Sequence, residues 1–280
     1  MFYLLLAILC SSMVQIVMRL STDKVKGNMS MLAMNYVVCS VIAACYTGFD
    51  KLLPVGAEGL GVSIGVGAAQ GLLYLLAFVL LQLNNKRNGI VLSASFMKLG
   101  LLVPMAVSIF WFGEEPGAAH LFGFLVAIFA IILINYEPKG TSEASFKMGL
   151  ILLLLVGGLG DTMAKLYQEL GTTDLSAQFL FYTFASALVL CLILIVIKKE
   201  KPGEAELFYG FLVSFPNYFS SRFLLKALEE LDAVFVYPTY NVATIFMATL
   251  AGVWLFRELL HKRQWIAIGA IIVALVLLNI

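Results

Sequence analysis

Apolar residues run through this chain in ten stretches of about twenty, the length a helix needs to cross the hydrocarbon of a bilayer. The stretches fall at 2–20, 30–48, 60–81, 90–112, 118–136, 147–168, 176–197, 206–227, 233–256 and 264–280. Charged residues gather between them, at Asp23-Lys24, Asp50-Lys51, Lys86-Arg87, Glu137 to Lys147, Lys198 to Lys201 and His261 to Arg263. No connection is long enough to hold a soluble domain. Runs such as Leu150 to Val156 are apolar throughout, whereas strands of a membrane barrel alternate polar and apolar positions. The pattern predicts an all-α membrane protein with ten transmembrane helices.

Composition agrees with lipid as the solvent. Of 280 residues, 61% are hydrophobic and 12% charged, against about 25% charged in ordinary soluble domains. Met1 to Leu9 carries no basic region, so the first helix is expected to be retained and not cleaved as a signal. All four cysteines (Cys10, Cys39, Cys45, Cys191) lie inside apolar runs, at spacings that suit neither zinc nor a disulfide framework.

Basic residues then set an orientation, because lysine and arginine collect in cytoplasmic loops. The odd-numbered connections and their flanks hold 13 of them: Arg19, Lys24, Lys26, Lys86, Arg87, Lys139, Lys147, Lys198, Lys199, Lys201, Arg257, Lys262 and Arg263. The even-numbered connections hold Lys51 and Lys226. Both termini are expected to face away from the cytoplasm.

The chain also repeats itself. A shift of 144 positions brings Tyr74 onto Tyr218, Phe112 onto Phe256, Glu114 onto Glu258, Ala130 onto Ala274, Leu133 onto Leu277 and Asn135 onto Asn279. A shift of 146 brings Gln15 onto Asp161, Arg19 onto Lys165 and Tyr36 onto Tyr182. The units are residues 1–138 and 139–280. With five helices each, the second must enter the membrane from the opposite side, the inverted-repeat build of many secondary transporters.

The segment Phe110-Trp111-Phe112-Gly113-Glu114, with His120 and Gly123, resembles the end of an EamA-type repeat of the drug/metabolite transporter superfamily. So does Val253-Trp254-Leu255-Phe256-Arg257-Glu258 with Arg263-Gln264-Trp265, although Arg257 stands where glycine is usual. The resemblance implies a ten-helix transporter with a cavity between inverted repeats. The small multidrug exporters of that superfamily carry a glutamate in their first helix; the corresponding place here is at or near Ser11.

Charge inside a span costs about 2.5–3.5 kcal/mol per residue on insertion scales and so invites a functional explanation. Four residues qualify: Lys98, Asp161, Lys165 and Arg222. Lys98 is either a pocket cation for a carboxylate or phosphate, or a lysine paired with a helix carbonyl or a distant acid. Asp161 and Lys165 share one helix face in the favourable acid-first order; they are either a self-neutralising pair or a proton-linked coupling pair. Arg222 either snorkels to the interface or faces the cavity. Three cations to one anion favour an anionic or zwitterionic solute.

Tyr74, Tyr218, Tyr237, Tyr240 and Asn241 add polar aromatic and amide groups able to orient a ligand, or to join helices. Glu114 and Glu258 are expected at helix ends, as solvated or cap-forming carboxylates rather than as coupling groups. Gly158-Leu159-Gly160-Asp161 matches one half of an intramembrane aspartyl protease motif, but every other aspartate sits at a connection, and that chemistry needs two sharing a proton. No phosphate-binding Gly-Lys-Ser loop occurs, so ATP is not the direct energy source.

The expected protein is a multi-pass cell-membrane transporter, not an enzyme. It exports or exchanges a small polar metabolite such as an amino acid by alternating access. Its partners are the lipid bilayer, a small-molecule substrate and protons as candidate coupling ions; neither a cofactor, a metal nor nucleic acid is expected. A multidrug exporter of the same fold and a non-transporting membrane sensor are the alternatives.

Overall fold

A computed structural model describes residues 1–21, 24–88, 90–135, 147–256 and 262–278. Lys139, Arg257, Glu258, His261 and Asn279 lie outside the described residues. The described chain is helical, with eleven α-helices and two short 3-10 turns, at Phe49–Lys51 and Thr173–Leu175. The helices are α1 (Phe2–Ser21), α2 (Asn28–Thr47), α3 (Leu60–Asn88), α4 (Ile90–Leu99), α5 (Leu102–Phe110), α6 (Ala118–Asn135), α7 (Lys147–Leu170), α8 (Ser176–Lys198), α9 (Glu204–Glu230), α10 (Ala233–Phe256) and α11 (Lys262–Leu278).

Six of them are long and apolar enough to cross a membrane: α1, α2, α3, α7, α8 and α10. The others fall short for identifiable reasons. The expected fourth span is interrupted, and α4 and α5 are each about ten residues long. Helix α9 has the length, but Glu204, Glu206, Arg222, Lys226, Glu229 and Glu230 lower its hydropathy. Helices α6 and α11 are 18 and 17 residues.

The chain forms two compact units, and each draws on both halves of the sequence. The first comprises Met1–Leu75 and Met163–Glu229. Here α2 packs along α8, with the Tyr36 and Phe184 rings stacked at 6.2 Å. Gly67 and Gly71 of α3 lie directly against the α8 backbone at Phe179 and Thr183. Gly210 lets α9 approach the Met31 carbonyl of α2 equally closely. The start of α2 is pinned by acids from the other half of the sequence. Glu206 accepts the Lys26 and Gly27 N–H groups at 2.8 and 3.0 Å, and Glu200 accepts the Ser30 N–H at 2.6 Å. First-turn N–H groups have no partner within their helix, so such carboxylates satisfy them.

The second unit comprises Leu76–Thr162 and Glu230–Ile280. Its core joins α5, α6, α10 and α11 through Leu101, Met105, Phe124, Ala127, Ala130, Ile131, Val242, Ile245, Ile271 and Ala274. The buried faces of α6 and α11 follow the sequence repeat. Phe124, Ala127 and Ala130 are 7%, 0% and 0% exposed, and Ile268, Ile271 and Ala274, each 144 positions later, are 6%, 0% and 0% exposed. Burial aligns α2 with α8 at a different offset, 148, which sets Tyr36 opposite Phe184 rather than Tyr182.

Candidate functional site

The interrupted helix is the place where the second unit departs from regular structure. Proline has no N–H and cannot continue the hydrogen-bond ladder, so Pro104 cannot donate to the Gly100 carbonyl. The Val103 N–H takes that carbonyl instead at 3.0 Å, and the Gly100 N–H reaches back three residues to Met97 at 3.1 Å. The chain therefore tightens at Gly100-Leu101, between α4 and α5.

Helix α7 packs on this break through glycine. A side chain on Gly158 would collide with the Gly100 carbonyl and lie 2.6 Å from the Val103 Cβ; one on Gly100 would lie 3.0 Å from the Gly158 nitrogen. The residues flanking this contact carry charge. Lys98 lies in the last turn of α4, two residues before Gly100, and Asp161 follows Gly158 by three residues on α7, nearly one turn. The two groups act on each other electrostatically, without an ion pair or hydrogen bond between them, and both are half-buried. From α10, the Tyr237 hydroxyl donates to the Asp161 carbonyl at 2.6 Å. The Asn241 side chain donates to the Tyr237 carbonyl at 3.0 Å. Tyr240 is half-buried and its carbonyl accepts the Thr244 hydroxyl at 2.6 Å.

The remaining sequence-predicted residues lie in the first unit. Arg222 holds its guanidinium 4.2 Å from the centre of the Tyr46 ring, with one nitrogen 3.4 Å from the Tyr218 hydroxyl. The Tyr46 and Tyr218 rings stack at 5.9 Å. An arginine on an aromatic face keeps its charge while losing water. Tyr74 accepts a hydrogen bond from Gln70 at 2.9 Å, and Gln70 in turn accepts the Thr183 hydroxyl of α8 at 3.1 Å. Lys165 is 3% exposed. Its ammonium donates to Glu169 at 2.5 Å and to Gln168 at 2.9 Å, both on the same helix.

The structure thus assembles Lys98, Asp161, Tyr237 and Asn241 in one unit, and Arg222 with Tyr218 in the other. Two partners escape sequence reasoning. Tyr46, which carries Arg222, gives no periodic signal. Glu169 lies four residues after Lys165, a spacing as readable as that of Asp161 four residues before it. Among the described residues no group of histidine, cysteine and acidic side chains could hold a metal.

The sequence model of the EamA-like transporter family matches residues 147–280. That segment, just under half of the chain, is similar to this family. The EamA-like segment runs from α7 to α11 and so contains Asp161, Lys165, Tyr218, Arg222, Tyr237, Tyr240 and Asn241. It also contains the Val253 to Glu258 motif that carried the resemblance, and the family is one of membrane transporters. Over nearly its whole length the chain is 24% identical to an uncharacterized protein of Haemophilus influenzae, across 278 residues that cover 95% of this chain and 93% of that one. A solved crystal structure superposes with a TM-score of 0.76 over 99% of this chain and 94% of its own, at 15% identity. That likeness is one of fold.

Proposed function

We propose that this protein is a secondary-active transporter that moves a small anionic or zwitterionic metabolite, such as an amino acid, across the cell membrane by alternating access. The observation that carries this reading is that Lys98 and Asp161, opposite charges inside the spans and near enough to act on each other without direct contact, flank an interrupted helix. Discontinuous helices commonly mark the sites of transporters, because their broken ends leave polar groups for a ligand. A solute carboxylate that takes Lys98 from Asp161 leaves a carboxylate without its counter-charge, and a proton then neutralises it. Substrate and proton are coupled by competition for one pair, with Tyr237 and Asn241 orienting the ligand.

The EamA-like match supports transport as the activity. The burial shared by α6 and α11 supports the repeat. Counting α4 with α5 as one broken span, and α6, α9 and α11 as spans, gives ten crossings with both termini away from the cytoplasm. Phe110 and Trp111, and Trp254 at the equivalent end of α10, are more than 80% exposed; such aromatics suit the headgroup region.

The test is flux in proteoliposomes with and without a pH gradient, over a panel of amino acids, organic acids and quaternary ammonium dyes. Gradient-driven transport of an acid or amino acid, lost in Lys98→Ala protein that remains folded, is the expected result. Transport of the dyes alone would make this a multidrug exporter, and a folded protein with no flux of any kind would make it a sensor.

A further inference from the structure

Two side-chain amides of the first unit share one hydrogen bond and leave half of each amide open. Asn217 is the midpoint of α9, and Asn35 lies two turns into α2. The Asn217 Nδ2 donates to the Asn35 Oδ1 at 3.3 Å. The Cys39 thiol lies 3.5 Å from the same oxygen and 3.3 Å from the Ser214 carbonyl. The close approach of α9 to α2 at Gly210, two turns before Asn217, makes this contact possible.

Among the described residues, neither the Asn35 Nδ2 nor the Asn217 Oδ1 has a hydrogen-bond partner. Asn35 is 2% exposed and Asn217 is half-buried. The Ser30 and Ser40 hydroxyls of α2 are unpartnered but sealed, whereas the two open amide atoms keep accessible surface. A buried amide group without a partner costs about 1–3 kcal/mol. Polar side chains that only join helices satisfy one another; here a donor and an acceptor stay open at one contact. Among the described residues, no charged side chain bonds to Asn35, Cys39 or Asn217.

We propose that Asn35 and Asn217 form a binding site for a neutral primary carboxamide. That group carries N–H donors and a carbonyl acceptor on neighbouring atoms. Its carbonyl accepts from the Asn35 Nδ2, and its N–H donates to the Asn217 Oδ1. A carboxylate offers acceptors alone and an ammonium donors alone. Each would meet one open atom, and would bring a charge that none of these side chains balances. The site goes beyond the transport reading: it belongs to the first unit, is uncharged, and needs neither Lys98 nor Asp161.

The experiment is saturation-transfer NMR on the full-length protein in detergent, at constant ionic strength. The probes are propionamide, butanone, sodium propionate and propylammonium chloride. Propionamide should bind saturably. Butanone has the same shape and carbonyl but no N–H, and should displace propionamide about threefold to tenfold less well, as for one neutral hydrogen bond. Neither propionate nor propylammonium should displace it. Asn35→Leu and Asn217→Leu should each weaken propionamide binding by a similar factor. The double variant leaves no orphaned amide, so it should stay folded and lose binding. Thr47→Val, which removes a hydroxyl bonded within α2 to the Ala43 carbonyl, should leave binding unchanged. Absence of propionamide binding, equal displacement by butanone, displacement by either ion, or undiminished binding in the folded double variant would overturn the assignment. Because binding is read without flux, its failure is distinct from failure of the transport reading.

Discussion

The carboxylate of Glu114 accepts the Val234 N–H at 2.8 Å, 120 positions further along the chain, while its other oxygen accepts the Ala233 N–H at 3.0 Å. One acid just beyond the end of α5 therefore caps the start of α10. It supplies the acceptors that first-turn N–H groups lack, and its charge suits the positive helix end. Glu114→Ala should cost about 1–2 kcal/mol of stability, and Glu114→Gln, which keeps one acceptor, about half as much. Thermal unfolding in detergent measures both, with the exposed Glu115→Gln as the unchanged control. A Glu114→Ala protein as stable as the parent would refute the cap.

Gly158 and Gly61 should respond oppositely to the same substitution. A Cβ on Gly158 meets the Gly100 carbonyl and the Val103 side chain at the helix break, whereas one on Gly61 meets nothing within 4 Å. Gly158→Ala must push α7 from the α4–α5 break and should cost about 1–3 kcal/mol, as overpacking does. Gly61→Ala should be neutral or stabilising by up to about 1 kcal/mol, through helix propensity. Denaturation midpoints of the two proteins decide the matter, and equal losses would mean that the glycines share a single packing role.

Hydrophobic length and charge punctuation made most helices legible, because a span must be apolar and its ends need not be. Part of the packing was also legible, since Ala130 and Ala274, which the sequence sets 144 positions apart, are both fully buried where α6 meets α11. The break at Gly100 was hidden in the run 90–112. Proline alone bends many helices without ending them, and here the tightened turn lies against Gly158, which is distant in sequence. For the same reason, spacing along one helix suggested Lys165 for Asp161, while the interaction with Lys98 depends on how α4 approaches α7. Local chemistry is written in the chain; the choice among compatible partners is made by packing.

Lys98 and Asp161 should fail singly and tolerate joint removal. Deleting one member of a charge pair in a low-dielectric site leaves the other uncompensated, at a cost of about 3–5 kcal/mol when fully buried. Half-buried groups should fall at or below the lower end of that range. Lys98→Met and Asp161→Leu should each destabilise the protein, and the double variant should be closer to the parent than the sum of the two. Unfolding of all four proteins in mixed micelles gives the coupling. Strict additivity would show two independent charges and remove the basis for substrate and proton competing for them.

Lys201 and Thr173 report the orientation. They lie just beyond opposite ends of α8, whose 23 residues span about 35 Å at the helical rise. Thr173 lies on the acid-rich connection and Lys201 on a lysine-rich one, so the charge rule puts Lys201 in the cytoplasm. Single cysteines at the two positions, in a background with Cys10, Cys39, Cys45 and Cys191 replaced, should label differently. An impermeant maleimide should modify Thr173→Cys in intact cells and Lys201→Cys only after permeabilisation. The reverse result would turn both termini inward. Equal labelling in intact cells would mean that α8 does not cross, and the ten-span count would fall with it.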